Sequence, residues 1–237
     1  MVFEKTVAEI IDENYVYARA LHYLGISFFE NPNKRLGEIC AERSLDENQV
    51  IKSFYAFDSC SRVSFKELET YPAELLVEYL KHSHHVFIKE KLPFIIHLAQ
   101  NSRGDVNLQK LLPEFIEDFI RHIYEEEDSV FKYVEILSRI RKGKVENPAS
   151  DLLPFRKFSL KHEFEHHVDE DEMRAIRSII ESIDPVSQTE DVLIKEVKSF
   201  DREMIYHAEI ENKIFFPKAI LLEKKVHSEL QKLSTLN

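Results

Sequence analysis

FIEDFIRHIYEEEDSVF, residues 115–131, and FDREMIYHAEIENKIFF, residues 200–216, carry one pattern twice. In each, a Phe stands seven residues before a His, a Glu four after that His, and a second Phe nine after it. His122 and Glu126 are four apart, and so are His207 and Glu211. On a helix that spacing stacks two side chains on one face, a turn apart, so both can approach one centre. Phe115, Phe119, Ile123 and Phe131 frame the first pair, and Phe200, Met204, Ile214 and Phe215 the second. A single His-x-x-x-Glu is usually a solvated surface pair. Two copies inside matching apolar frames are not, because a carboxylate buried among phenylalanines needs a partner. Neutral imidazole together with carboxylate suits Fe, Mn or Zn.

Working outward, the chain reads as helical nearly throughout. Val7, Ile10, Ile11, Tyr15, Ala18, Leu21 and Leu24 predict a helix over 4–24, stopped at Gly25. FFENPNK, 28–34, is a loop, and two short helices follow over about 35–43 and 46–57, the second capped by Asp46. SCSRVSFKELET, 59–70, reads as a linker. Four longer helical patterns then run over about 72–101, 108–141, 156–183 and 189–231, with Pro217 expected to kink or break the last. Short connections make consecutive helices antiparallel. The expected fold is all-α: a small helical N-terminal domain, 1–62, then an up-down four-helix bundle, 70–237.

Composition narrows the function. With only 4 glycines, phosphate-cradling loops are not expected. A net charge of −11 argues against a nucleic-acid groove. No apolar run of about 18 residues exists to span a membrane. The acidic N-terminus does not read as a secretion signal. Cys40 and Cys60 form neither a disulfide framework nor a Cys-x-x-Cys site, so a reducing cytoplasm is expected. A helix-borne His-Glu-x-x-His is absent, which argues against a zinc hydrolase.

Histidine, at 11, is the unusual number. The first long helix carries KHSHHVFIKEKLP, 81–93, with His82, His84 and His85; the third carries KHEFEHHVDEDEM, 161–173, with His162, His166 and His167. Taking His85, His122, His166 and His207, the intervals are 37, 44 and 41 residues, as one level of an antiparallel bundle requires. From His166, Met173, Ile176 and Ile180 lie on one helical side, whereas His167 is followed at the same offsets by Arg174 and Arg177. His166 is therefore the expected third-helix ligand; His167 is expected in solvent, and His162 at most behind it.

These residues resemble a known family. HVFIKEKLP, HIYEEE, EFEH and HAEIENKIFFP are similar to the motifs of a hemerythrin-like domain over 72–221. LGISFF followed by KRLGEICAERSLDENQVIKSF resembles the short N-terminal domain of the repair-of-iron-centres family, the di-iron proteins of iron–sulfur cluster repair. The resemblance implies a centre of two non-haem iron ions held by His85, His122, Glu126, His166, His207 and Glu211, with Glu126 and Glu211 bridging and an oxo or hydroxo bridge completing it. It implies repair of clusters damaged by oxidative or nitrosative stress, through iron donation or nitric oxide handling. Iron–sulfur proteins would be the clients, O2 or NO the small ligands, and a homodimer one assembly. A hemerythrin-like O2/NO carrier or sensor is the alternative. One departure stands out: Phe29 and Glu30 occupy the place of the family's cysteine pair, and Cys40 reads as a small buried residue instead.

Overall fold

The computed structural model describes residues 2–58, 63–102, 106–167 and 173–234. Among them the regular elements are helices, with one isolated antiparallel bridge between Thr6 and Arg35. In chain order the α-helices are α1 (Val7–Glu13), α2 (Tyr17–Tyr23), α3 (Leu36–Arg43), α4 (Glu47–Asp58), α5 (Phe65–Leu68), α6 (Ala73–Val86), α7 (Leu92–Asn101), α8 (Val106–Glu126), α9 (Lys132–Arg141), α10 (Pro148–Leu152), α11 (Leu160–His167), α12 (Arg174–Ile180), α13 (Gln188–Ile210) and α14 (Phe216–Ser234). No helix among the described residues is long and apolar enough to cross a membrane.

The chain divides into two compact units. One comprises Met1–Arg62, Leu92–Leu111 and Ile176–Ser199; the other comprises Val63–Lys91, Leu112–Ala175 and Phe200–Asn237. The N-terminal segment thus shares a unit with stretches that the sequence placed in the long helices.

In the first unit the expected helix over 4–24 is two helices. Asn14 breaks it: its backbone is extended (φ −152°, ψ 103°) and its side chain accepts from the Val16 amide at 3.2 Å. A short polar side chain that satisfies its own backbone competes with the helix in this way. Gly25 ends α2 in the left-handed region, at φ 74°. Gln188 donates to the Ala8 carbonyl and to Asp12, and Arg19 pairs with the buried Glu196. Cys40 is buried, and burial pushes its thiol pKa up, with Glu47 adding to the shift. It is an inert packing residue. Cys60 lies outside the described residues.

The second unit is built on α6, α9, α11 and α14. Leu76, Val77 and Leu80 from α6 meet Val134 and Leu137 from α9, Leu160 from α11, and Phe216, Ala219, Leu222 and Val226 from α14 in one core. The residues from α6, α9 and α14 recur at helical spacing, which turns one stripe of each of these helices inward. Within the expected third helix over 156–183 the described helices are α11 and α12, and the short α10 precedes them.

Among the described residues three π-helical turns interrupt the long helices: Phe87–Lys91 between α6 and α7, Glu127–Phe131 between α8 and α9, and Glu211–Phe215 between α13 and α14. Each admits an extra residue and loosens the local hydrogen-bond ladder. This explains why Pro217 does not break the last helix. Pro217 is the second residue of α14, directly after a π turn, and Pro93 is the second residue of α7, after another. A proline opening a new helical segment gives up an amide that has little to bond to.

Candidate metal centre

His84, Glu126, His207 and Glu211 converge in the second unit, all buried, each offering one ligand atom within 4.8 Å of the others. The helices explain the placement. On α6, Ala73, Val77 and Leu80 precede His84 by 11, 7 and 4 residues and are buried, so His84 continues an inward stripe. Glu126 ends α8, His207 lies in the last turn of α13, and Glu211 opens the π turn that follows. All four stand within three residues of a π turn or close by one helical turn of it, and π turns re-aim side chains in this manner.

The distances suit a metal. His84 Nε2 lies 3.0 Å from His207 Nε2 and 3.5 Å from Glu126 Oε2, and His207 Nε2 lies 2.8 Å from Glu211 Oε1. A cation with bonds of about 2.0–2.2 Å to nitrogen and oxygen needs ligand atoms at about such separations. Glu127 completes the arrangement from behind. Its carboxylate accepts from His84 Nδ1 at 2.9 Å, which leaves Nε2 of the neutral ring as an acceptor facing the cluster. A carboxylate behind a histidine fixes tautomer and ring orientation in metal sites. His207 Nδ1 is buried with no hydrogen-bond partner among the described residues. Two carboxylates and two imidazoles gathered away from water are costly without a cation to balance them, and this group could hold a metal ion.

Aromatic rings wall the group. Phe131 stacks on His84 (5.5 Å, 13° between planes), and Phe87 meets His207 edge-on (5.6 Å, 70°). The same walls govern protonation. Burial, with His207 and His122 nearby, lowers the His84 pKa to about 3, Glu211 opposing. In the unfolded chain His84 would protonate near 6.5. Acid therefore favours the unfolded state: the contribution is intact above pH 6.5 and is lost as pH falls toward 3. For metal-free protein, about 2 kcal/mol of stability is expected to go between pH 7 and pH 5, measured by urea denaturation. A His84→Gln variant should lose less over that window.

Glu126, His207 and Glu211 of the sequence-based set thus meet, and the first-helix member beside them is His84. His85 is exposed, as is His82. His122 is half-buried and His166 exposed; both line a cavity of about 190 Å3 that Glu126 also borders, together with Glu163. His166 Nε2 lies 3.3 Å from His162 Nε2. The side chain of His167 lies outside the described residues. His84 was legible by the test applied to His166: four and seven residues before it stand Leu80 and Val77, whereas before His85 stand Lys81 and Glu78. Glu127, half-buried, carries no signal of its own in the sequence.

No protein-family model, no curated protein and no solved structure matches this chain.

Proposed function

We propose that the second unit is a hemerythrin-like four-helix bundle holding two non-haem iron ions. In this reading the protein assists repair of iron–sulfur clusters damaged by oxidative or nitrosative stress, by donating iron or handling nitric oxide. The observation that carries it is the buried convergence of His84, Glu126, His207 and Glu211 from three long helices. His84, His207 and Glu211 hold one ion. A second ion beside His122 and His166 would be served by Glu126, a reading supported by its belonging both to this cluster and to the wall of the adjoining cavity. The motif resemblance supports iron over zinc, and a bound di-iron pair supplies ligand exchange and one-electron chemistry. The chain's own part is to offer the imidazoles, to fix the His84 ring through Glu127, and to exclude water with Phe87 and Phe131.

The O2/NO carrier reading draws on the loop after α2. Phe28 is buried there, and Phe29 lies against the His97 ring at 5.3 Å. The loop is an apolar anchor where thiol chemistry would be needed.

Protein purified without added metal is expected to contain two iron ions per chain. It should show a charge-transfer absorption band that vanishes on full reduction. One zinc and no iron would end the di-iron reading.

A further inference from the structure

We propose that His162 and His166 form an outer binding site for a first-row divalent cation, through which the ion passes to the buried cluster. The route rests on the di-iron reading; the outer site stands on its own geometry. The two residues lie one turn apart on α11 and turn the same ring atom toward each other, Nε2 to Nε2 at 3.3 Å. Two metal–imidazole bonds of about 2.0–2.1 Å, opened to an angle between octahedral and tetrahedral, put their nitrogens about 2.8–3.4 Å apart. The pair is already at chelating distance in the described conformation.

Its surroundings suit exchange rather than storage. His162 is exposed, with two-thirds of its side chain open to solvent, so an arriving ion keeps water in its remaining positions. Two protein ligands and several waters make a weak site with rapid release. Glu163 is half-buried, and its Oε1 lies 3.9 Å from His162 Nδ1, adding a negative charge beside the pair. On its other side His166 borders the 190 Å3 cavity, where Glu163, His122 and Glu126 also stand. Glu126 is itself part of the buried cluster. Carboxylate and imidazole donors therefore continue from the exposed pair inward, with Val130 and Phe216 as apolar walls. A turn of the His166 ring would pass an ion from the His162 side to the cavity side without the ion meeting bare hydrocarbon.

The test uses the full chain and its His162→Ala variant. Zinc is titrated in while imidazole 15N resonances are followed. His162 and His166 are expected to shift together in fast exchange, and the His166 response should weaken at least about tenfold in affinity in the variant. If neither resonance moves, the 3.3 Å contact is only a hydrogen bond between rings and the proposal falls. Stopped-flow absorption at limiting Fe2+ then follows loading of the buried cluster. His162→Ala should reach the same final iron content about tenfold more slowly, on the scale of losing a supporting group at a metal site. Equal loading rates overturn the passage. Zinc binding at the outer pair in a chain that takes up no iron would retain the outer site and dismiss the di-iron centre, so the two failures are separable.

Discussion

Replacing Glu211 by glutamine is expected to abolish metal retention, with affinity down by more than about a hundredfold, or roughly 2.7 kcal/mol. Glu211 is 1% exposed, and its carboxylate lies at bonding distance from His207 within the four-residue cluster. Removing a direct ligand should exceed the tenfold to hundredfold losses seen when only a supporting group is removed. The amide keeps the shape but loses the charge, and here the two states of the protein part company. Without metal, two buried carboxylates share one pocket, and neutralising one should raise stability by about 1–3 kcal/mol. With metal, the same substitution should lower it, because binding stabilises only the folded state. Urea denaturation of wild type and Glu211→Gln, each with and without a chelator, reads both signs. A variant less stable in both conditions would mean that Glu211 is a structural hydrogen-bonding group and no ligand.

The second large effect separates neighbours. His84→Ala should release the metal, while His85→Ala should leave metal content unchanged within error. His84 is 2% exposed, with Nε2 in the cluster and Nδ1 on Glu127; His85 faces solvent. The His84 variant also leaves Glu127 half-buried without that imidazole, and burial already raises the Glu127 pKa. Its metal-free form should therefore lose about 1–3 kcal/mol through the unmade hydrogen bond. Metal analysis after desalting decides the matter, and release from His85→Ala with retention in His84→Ala would reverse the assignment.

What the sequence disclosed was local. The pairs His122/Glu126 and His207/Glu211 were visible because four-residue spacing and an apolar frame are properties of one helix. The all-helical character followed from scarce glycine and long periodic stretches in the same way. The inference about His166 needed more. It ran a helical face from His166 to Ile180, and Met173, Ile176 and Ile180 are indeed buried. The described parts of that stretch are α11, to His167, and α12, from Arg174, with Met173 in a turn, and His166 is exposed. Choosing His85 rested on the intervals between histidines, and the first of them, from His85 to His122, runs straight through a π turn. Nothing in residue type announces a π turn, and arithmetic at 3.6 residues per turn drifts by a residue across it. Which segments group into one compact unit was not legible for another reason. Periodicity says that Phe94, Leu98, Val192 and Val197 are covered, but not by which segment; they belong to the unit that contains the N-terminal helices.

The π turns also bear on how this chain can change length. Elsewhere in a helix, losing one residue swings everything beyond it by about 100° and scrambles its packing. Inside a π turn the lost residue is the surplus one, and the helix closes up as ordinary α with both flanks still in phase. Phe87–Lys91, Glu127–Phe131 and Glu211–Phe215 are thus the places where the long helices tolerate a one-residue deletion as folded objects. The damage would fall on the neighbouring cluster residues alone, so descendants of this sequence could lose the His/Glu cluster while keeping the scaffold.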